Sequence, residues 1–371
     1  MTTQMDITDQ HYMRIALRLA ARGLGRVAPN PAVGCLLVRD GQVVGRGWTQ
    51  DGGRPHAETM ALAQAGEKAA GATAYVTLEP CAHQGETPPC ATSLIDAGVS
   101  RVVAALEDPD ARVSGKGLQM LRAAGIEVAE GLFATEAAYL NAGFILTRTQ
   151  KRPLITLKMA TSLDGKIATT TGDSKWITGR IARRYSHILR SENDAIMIGV
   201  GTAMVDDPEL TCRIAGLEDQ SPVRIVADSR LRLPLTSALV KTVKKAPLWI
   251  LTVPGNDRDR RQAFTDLGVT VIEVAAEESG LPDLRKGLAE FAARGITRIL
   301  AEGGSHLLAT LIKDELADRL MWFRASRIIG GDGIPVLQSI GLRQLADAPE
   351  IQLIEERRLG EDLLESYFLR N

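Results

Sequence analysis

Four side chains in the first hundred residues have the types and the spacing of a catalytic metal site. His56 and Glu58 are separated by one residue, Cys81 ends the sequence Glu-Pro-Cys, and Cys90 ends the sequence Pro-Pro-Cys. One imidazole and two thiolates provide three zinc ligands and leave a fourth position open, which is typical of catalytic rather than structural zinc. A water in that position has a pKa of roughly 7. The set therefore predicts zinc-activated water, with His56, Cys81 and Cys90 as ligands.

The separation of Glu58 from His56 restricts where both can act. Two residues turn an α-helix by about 200°, so the two side chains reach one site only in the first helical turn. There the carboxylate can take a proton from the water and return it to a leaving nitrogen. A His-x-Glu motif followed by Pro-Cys is the signature of zinc deaminases, although these cysteines are farther apart than the usual Cys-x-x-Cys. His83 lies between the cysteines and is a weaker alternative ligand, because the other three residues already complete the set.

Alternating helices and strands must hold these residues in the first half of the chain. Apolar residues at helical or alternating spacing predict the elements, and Asp40-Gly41 predicts the turn of a hairpin. Such alternation is typical of a mostly parallel sheet covered by helices. The predicted helices are 11–22, 57–70, 91–97 and 117–124, and the predicted strands are 32–38, 42–48, 73–78, 101–106 and 126–128.

A second β/α series begins after Lys151-Arg152-Pro153, which has the composition of a joint. We therefore predict two domains, residues 1–150 and residues 151–371. In the second domain, the predicted strands are 154–159, 195–199, 223–228, 248–253, 269–274 and 298–301, and the predicted helices are 181–190, 283–293 and 306–313.

Composition restricts the class of protein. The 371 residues are enough for two or three domains. The 44 Lys and Arg against 45 Asp and Glu give a net charge of −1, and only 4% of the residues are aromatic. Both values argue against a protein that binds nucleic-acid strands. No apolar run approaches the ~20 residues of a membrane helix, and we expect neither a secretory signal nor a membrane partner.

The four cysteines are too few for a disulfide framework in a chain of this length. They fit a reducing compartment, so we expect a cytoplasmic protein. Cys35 lies in an apolar run and is interpreted as buried, and we interpret Cys212 in the same way. We also expect the chain to form a homo-oligomer.

Two glycine-containing segments of the second half could bind phosphate. Gly199-Val200-Gly201 follows a predicted strand, but Met204 breaks the dinucleotide-binding fingerprint. Glu302-Gly303-Gly304 lies between a predicted strand and a predicted helix, where backbone N–H groups can face a phosphate. A simple tight turn between strand and helix is the alternative interpretation.

Three stretches of the first half form a distinctive set. They are Pro29-Asn30-Pro31-Ala32-Val33-Gly34, Pro55-His56-Ala57-Glu58, and the run from Thr77 to Cys90, which reads TLEPCAHQGETPPC. Together they resemble the deaminase domain of bacterial bifunctional riboflavin-biosynthesis deaminase/reductases. The resemblance implies a three-layer, cytidine-deaminase-like α/β fold and a substrate that is a diaminopyrimidinone carrying a ribosylamino 5-phosphate. It also implies that Asn30 contacts the pyrimidine, whereas a plain surface turn is the alternative for Asn30.

Two positions depart from this family. Thr49 stands where the family usually has histidine, and Glu86 stands where it often has a basic residue. The first departure affects a substrate contact, and the second weakens or relocates a phosphate contact. Neither affects the metal ligands.

The second half resembles the reductase domain of the same family. The resemblance implies a dihydrofolate-reductase-like α/β fold that uses NADPH. It implies cofactor contacts at Ala160, Trp176, Thr202, Asp206 and Gly304, and substrate contacts at Ser174, Arg190, Leu210, Arg213 and Glu302. The matching stretches are 158–166, 172–178 and 201–211.

These residue types suit the reduction of a phosphorylated sugar. Arg190 and Arg213 can bind the 5-phosphate in bidentate fashion, and we expect Lys158 to assist by its charge. Reduction of the ring-opened carbonyl also needs an acid for the oxygen. Asp206, or a water that it orders, is the candidate.

The sequence therefore predicts a bifunctional enzyme whose small-molecule substrate is a phosphorylated pyrimidine. A nucleic-acid-editing deaminase fused to an unrelated domain is one alternative, and activity on RNA but not on the free nucleotide would favour it. A zinc-stabilised scaffold without activity is another, for which Glu58→Gln would change neither metal content nor function.

Overall fold

The computed structural model describes residues 7–84, 88–110 and 114–369. The chain separates into two compact units, Met1–Lys151 and Arg152–Asn371. No helix within the described ranges has both the length and the apolar composition that a membrane span requires.

The first unit is built on a five-stranded sheet with the order β2-β1-β3-β4-β5. Strand β1 pairs antiparallel with β2 and β3, while β3, β4 and β5 are parallel to one another. The elements are α1 (Ile7–Ala20), β1 (Gly34–Arg39), β2 (Gln42–Trp48), α2 (Ala57–Ala65), β3 (Thr73–Val76), α3 (Cys90–Asp96), β4 (Arg101–Ala104), α4 (Lys116–Ala123), β5 (Glu127–Glu130) and α5 (Ala134–Thr149).

Helices cover both faces of this sheet, because successive residues of a strand point to opposite faces. Cys35 and Leu37 of β1 belong to a core with Ala57 and Ala61 of α2. Leu36 and Val38 of the same strand belong to a second core, with residues of α1 such as Met13 and Ala16. The result is the three-layer α/β arrangement that the sequence predicted.

Glycines let helix α2 lie directly against strand β2. A Cβ atom on Gly47 would stand 1.9 Å from the carbonyl oxygen of Ala57, and one on Gly45 would stand 2.2 Å from that of Ala61. Both distances are far below van der Waals contact, so only glycine allows this approach. The close packing fixes the first turn of α2, which carries Glu58.

Helix α5 was missed by the sequence analysis. It has a polar residue at a buried position, Asn141, whose side chain both accepts from the backbone N–H and donates to the carbonyl of Ala32. Gly143 is also buried within it. A buried amide and a glycine interrupt the apolar stripe on which helix prediction relies.

The second unit contains a nine-stranded sheet with the order β11-β10-β9-β8-β12-β6-β13-β16-β15, and a separate pair, β14-β7. The strands are β6 (Leu154–Thr161), β7 (Lys166–Thr169), β8 (Ala195–Gly199), β9 (Val223–Ala227), β10 (Leu248–Thr252), β11 (Thr270–Glu273), β12 (Arg298–Ala301), β13 (Arg319–Arg324), β14 (Gly333–Pro335), β15 (Ile351–Leu359) and β16 (Asp362–Leu369). The helices are α6 (Arg180–Ser191), α7 (Val200–Asp206), α8 (Ala238–Lys241), α9 (Arg258–Asp266), α10 (Leu284–Ala293) and α11 (Ser305–Lys313).

The strands from β11 to β13 in this order are parallel, whereas β13, β16 and β15 pair antiparallel. The sequence predicted the six parallel strands from β11 to β6 in this order, and it missed β13, β16 and β15. Strand β15 is exposed along nearly its whole length and carries four charged residues among nine, so it lacks the apolar alternation of a half-buried strand.

Candidate functional site

The three predicted metal ligands come together in the first unit. His56 immediately precedes α2, Cys90 begins α3, and Cys81 lies in the segment after β3. The Nδ1 atom of His56 is 3.3 Å from Sγ of Cys90 and 3.8 Å from Sγ of Cys81, and their donor atoms all lie within 4.8 Å of one another. Ligand atoms bound to one tetrahedral zinc are ~3.3–3.8 Å apart, so the set fits that ion.

The pKa values of the two thiols are shifted in opposite directions. A hydrogen bond from the Cys90 thiol and a weaker contribution from the hydrogen bond with His56 together lower the pKa of Cys81 to about 4, although burial raises it. The backbone N–H of Cys90, at the start of α3, also donates to Sγ of Cys81 at 3.3 Å. The contact with Cys81, together with burial, raises the pKa of Cys90 above its usual range. A divalent cation favours thiolates at both positions, which is consistent with a metal-binding pair.

Glu58 lies in the first turn of α2, where the sequence placed it. The residue is buried, with 3% of its surface exposed. Burial raises the pKa of its carboxyl to about 7, although the nearby His56 lowers it. A group in that pKa range can both accept and release a proton near neutral pH.

A cleft opens beside this cluster, and Asn30 and Thr49 are among the residues that line it. Asn30 is half-buried and donates from Nδ2 to the carbonyl of Gly53 at 3.1 Å. Thr49 accepts from the backbone N–H of Val33 at 3.0 Å and donates to the carbonyl of Pro31 at 3.0 Å. Thr49 therefore fixes the backbone of the loop that carries Asn30.

Other predicted positions are placed as follows. His83 lines the cleft, but it is outside the three-donor cluster that the described residues form. Glu86 lies outside the described residues. Two cations, Arg54 and Arg148, line the same cleft. They are candidates for a relocated phosphate contact.

Cys35 and Cys212 are both buried. Cys35 lies in the core of the first unit, where burial raises its thiol pKa well above the usual value. The thiol of Cys212 donates to the carbonyl of His187.

Glu79 is a positioning residue that the sequence analysis did not single out. Its buried carboxylate accepts four backbone N–H groups, those of Asp108, Gly115, Gly117 and Leu118, at 2.8–3.3 Å. These bonds connect the segment before Cys81 to the start of α4. Its position two residues before Cys81, in the sequence Glu-Pro-Cys, was the available signal.

Arg190 and Glu302 form a buried bidentate ion pair in the second unit. The guanidinium Nε and Nη2 atoms each lie 2.8 Å from a carboxylate oxygen, and Nη1 donates to the carbonyl of Thr211 at 3.1 Å. Burial raises the pKa of Glu302, but Arg190 and Lys158 outweigh it and lower that pKa to about 2. Burial lowers the pKa of Lys158. The structure thus brings Lys158, Arg190 and Glu302 into one charged cluster.

This pairing changes the expectation for Arg190. Three of its five N–H donors are used in the bonds to Glu302 and Thr211, so only two donors remain for a phosphate. Arg213 is exposed, and its backbone N–H donates to Nδ1 of His187 at 3.3 Å. Arg213 is therefore the better-placed phosphate ligand of the two.

The structure places two further substrate candidates in different surroundings. Leu210 is buried, with a left-handed φ of 55°, and it precedes the Thr211 carbonyl that Arg190 holds. Ser174 is exposed between β7 and α6. In the described part of the chain it makes no hydrogen bond with the cluster.

The predicted cofactor residues Thr202 and Gly304 are neighbours at the ends of parallel strands β8 and β12. A Cβ atom on Gly304 would stand 3.2 Å from Oγ1 of Thr202 and 3.7 Å from the backbone nitrogen of Gly199. Gly303 and Gly304 have φ values of 100° and 87°, which favour glycine. Their bare backbone leaves a cradle for a phosphate beside α11, so these residues fit a dinucleotide.

The remaining cofactor candidates are Ala160, Trp176 and Asp206. Ala160 lies on β6 opposite Phe323 of β13. Trp176 is 64% exposed, and the guanidinium carbon of Arg183 lies 4.1 Å from its ring centre. Asp206 ends α7, and burial raises its carboxyl pKa while Lys175 lowers it.

Comparison with known proteins gives the family. The model of the cytidine and deoxycytidylate deaminase zinc-binding region matches residues 6–106, and that of the RibD C-terminal domain matches residues 153–364. Riboflavin biosynthesis protein RibD of Aquifex aeolicus (strain VF5) is 43% identical over 356 residues, which cover 96% of this chain and 97% of that protein. The chain belongs to the RibD family.

Other RibD proteins agree with this assignment. RibD of Escherichia coli (strain K12) is 40% identical, with 96% of this chain and 98% of that protein covered. The solved structure of Acinetobacter baumannii RibD, form 1, matches with a TM-score of 0.88 at 36% identity and covers 98% of this chain and 99% of its own. The solved Thermotoga maritima deaminase/reductase matches with a TM-score of 0.85 at 33% identity, covering 98% of this chain and 99% of its own.

RibD membership confirms the predicted fold class, a cytidine-deaminase-like domain followed by a reductase domain. It also confirms the predicted activities and cofactors, a zinc-binding deaminase and an NADPH-dependent reductase of riboflavin biosynthesis.

The carboxylate of Glu79 in this RibD chain should stabilise the segment that carries Cys81. In Glu79→Gln, one side-chain oxygen instead of two accepts hydrogen bonds, and the amide group points its own N–H donors at the backbone N–H groups. We expect the first unit to lose about 2–4 kcal/mol of stability and to lose zinc faster to a chelator, because the segment carrying Cys81 is released. Denaturant unfolding and zinc content over time measure both effects. Exposed Glu67→Gln is the matched control, and equal zinc loss in both variants would contradict the role of Glu79.

Proposed function

We propose that the first unit removes an exocyclic amine from a diaminopyrimidinone that carries a ribosylamino 5-phosphate, and that the second unit reduces the ribosyl group of the product to ribityl. The observation that supports the first step most directly is the set of three donor atoms within 4.8 Å of one another, in the same cleft as buried Glu58. The Thermotoga maritima relative carries a name that combines these two activities.

In the deaminase site, His56, Cys81 and Cys90 would hold the zinc ion. Bound zinc supplies a water that ionises near neutral pH. Glu58 accepts the proton that this water loses and later transfers a proton to the leaving nitrogen, so that one water and one amine become a ring carbonyl and ammonia. Asn30 contacts the pyrimidine ring. Its side chain is oriented by the bond to Gly53.

In the reductase site, NADPH supplies a hydride to the carbonyl carbon of the ring-opened sugar. We place the cofactor contacts at Ala160, Trp176, Thr202, Asp206 and Gly304. The substrate contacts are placed at Lys158, Ser174, Arg190, Leu210, Arg213 and Glu302. Asp206, or a water that it orders, gives the proton to the resulting alkoxide oxygen, and its raised pKa supports this role.

A homo-oligomer is supported by one edge of the large sheet. Strand β15 ends the sheet and is exposed, and its apolar residues Ile351 and Leu353 are 42% and 51% exposed. An exposed strand edge with apolar side chains favours pairing with a second copy. A cytoplasmic location is supported by the four free cysteines, because thiolate ligands persist in a reducing compartment.

The role of Glu58 is tested by Glu58→Gln, which keeps the size of the side chain and removes its basicity. We expect normal zinc content, loss of deamination by about 10²-fold or more, and unchanged NADPH oxidation with the deaminated intermediate. The assay measures ammonia release and NADPH oxidation on the same protein preparation.

Glu67→Gln is the matched control for this experiment and should retain both activities. Deamination at the normal rate in zinc-loaded Glu58→Gln would contradict the proposed proton transfer. Unchanged metal content and unchanged function would instead favour a structural zinc site.

The phosphate contact of the reductase is tested by Arg213→Met. Loss of a charge-assisted hydrogen bond should raise the KM for the deaminated intermediate about 10- to 100-fold, with little change in the KM for NADPH. Exposed Arg258→Met on α9 is the control for loss of one positive charge. Equal KM values in the two variants would show that the phosphate lies elsewhere.

The proposed interface is tested by Leu353→Glu. A charge on the edge strand should disfavour pairing, so we expect sedimentation to report a smaller species than the wild-type oligomer. Thr270→Glu, on β11 at the opposite edge of the same sheet, should leave the oligomer intact. A wild-type chain that sediments as a monomer at high concentration would contradict the proposal.

A further inference from the structure

Arg224 of β9 is a fully buried arginine that is held only by neutral groups. It is 0% exposed. Its Nη1 donates to the carbonyl of Glu209 at 3.2 Å and to Oγ1 of Thr242 at 2.6 Å, and its Nη2 donates to the carbonyl of Ala246. Among the described residues no carboxylate forms an ion pair with it. Burial lowers its pKa to about 10, although the nearby charge of Glu209 raises it.

A cation buried without a carboxylate is costly, and apolar side chains of similar volume are often at least as stabilising. Stability alone therefore does not account for an arginine at this position. What distinguishes it from an apolar residue is its ability to hold carbonyl oxygens from separate segments at the same time.

One of those oxygens belongs to the loop 207–213, between α7 and β9, which we call the substrate loop. Asp207 and Leu210 in this loop have left-handed φ values of 37° and 55°. Residues other than glycine persist in that conformation only where the surroundings determine it. The substrate loop therefore needs contacts that hold it.

The contacts lie on both sides of Leu210. Arg224 holds the carbonyl of Glu209, one residue before it, and Arg190 holds the carbonyl of Thr211, one residue after it. Arg190 is itself fixed by Glu302. The backbone of Leu210 thus lies between two buried guanidinium groups.

The other bonds of Arg224 give the substrate loop a rigid support. Thr242 and Ala246 belong to the segment between α8 and β10. The carboxylate of Asp207 also accepts the backbone N–H of Ala238, the first residue of α8, at 2.7 Å. The loop is therefore attached to the α8 region at two places.

We propose that Arg224 is a positioning residue of the reductase, which sets the place of Leu210 and Arg213 by holding the Glu209 carbonyl. The inference rests on the proposed function, because it takes the substrate loop to be part of the substrate site. Arg224 acts through the backbone and does not touch the substrate. It fixes substrate affinity rather than the hydride-transfer step.

The test uses the full chain with NADPH and the separately prepared deaminated intermediate. For Arg224→Met we expect the KM for the intermediate to rise about tenfold or more, with kcat changed less than threefold and the KM for NADPH unchanged. Arg224→Lys keeps the positive charge but not the forked guanidinium group. Its KM for the deaminated intermediate should therefore lie between those of the wild type and Arg224→Met. Ammonia release by the first unit should equal that of the wild type.

Thr242→Val is the matched control. It removes another hydrogen bond of the same guanidinium and leaves the bond to Glu209, so it should lower the thermal midpoint without changing the KM for the intermediate. If Arg224→Met lowers only the thermal midpoint, the role is structural and the proposal is wrong.

If Arg224→Met does not fold, the KM of folded Arg224→Lys for the deaminated intermediate is the deciding measurement. A value equal to that of the wild type overturns the proposal. Failure of the wild-type chain to reduce the intermediate would instead contradict the proposed function itself.

Discussion

The chemistry of the first unit depends on three donor atoms that come from three separate segments of the chain and lie within 4.8 Å of one another. Two of them, on His56 and Cys90, stand at helix starts, where backbone N–H groups favour negative charge. That constraint requires α2 and α3 to begin at the same place beside the sheet. The glycines of β2 satisfy this requirement for α2. Because Gly45 and Gly47 have no side chains, the backbone of that helix packs directly against the strand.

Buried charge organises the second unit in a different way. Arg190 and Glu302 neutralise each other, and the deep lowering of the Glu302 pKa reflects a pair whose attraction exceeds the cost of burial. Lys158 lies in the same field, where burial favours its neutral form and Glu302 favours its charged form. Helix α6, strand β6 and the end of strand β12 thus hold these charges in fixed positions. Under the proposed function, such charges need no reorganisation during the reaction.

The sequence could predict the metal ligands, because residue type and short-range spacing determine them. Glu58 was also predictable, since the first turn of a helix is fixed by local geometry. The four backbone N–H groups that surround Glu79 come from residues 108–118, and no local pattern indicates such a long-range contact. For the same reason the ion pair of Arg190 with Glu302 could not be predicted from the sequence. The phosphate contact of Arg190 stays a prediction. Helix α5 and strand β15 were missed because a buried Asn141 and an exposed edge strand break the apolar periodicity that prediction uses.

The two units differ in which groups the protein itself must hold in exact positions. A metal ion enforces its own geometry on whatever ligands reach it, so the metal ligands of the first unit need only to be brought close together. An organic substrate enforces nothing comparable, and its contacts must be placed by the protein in advance. Under the proposed function, the guanidinium groups that hold the backbone carbonyls of Glu209 and Thr211 serve this placement in the second unit. Each bond removes freedom from a loop whose left-handed residues would otherwise relax.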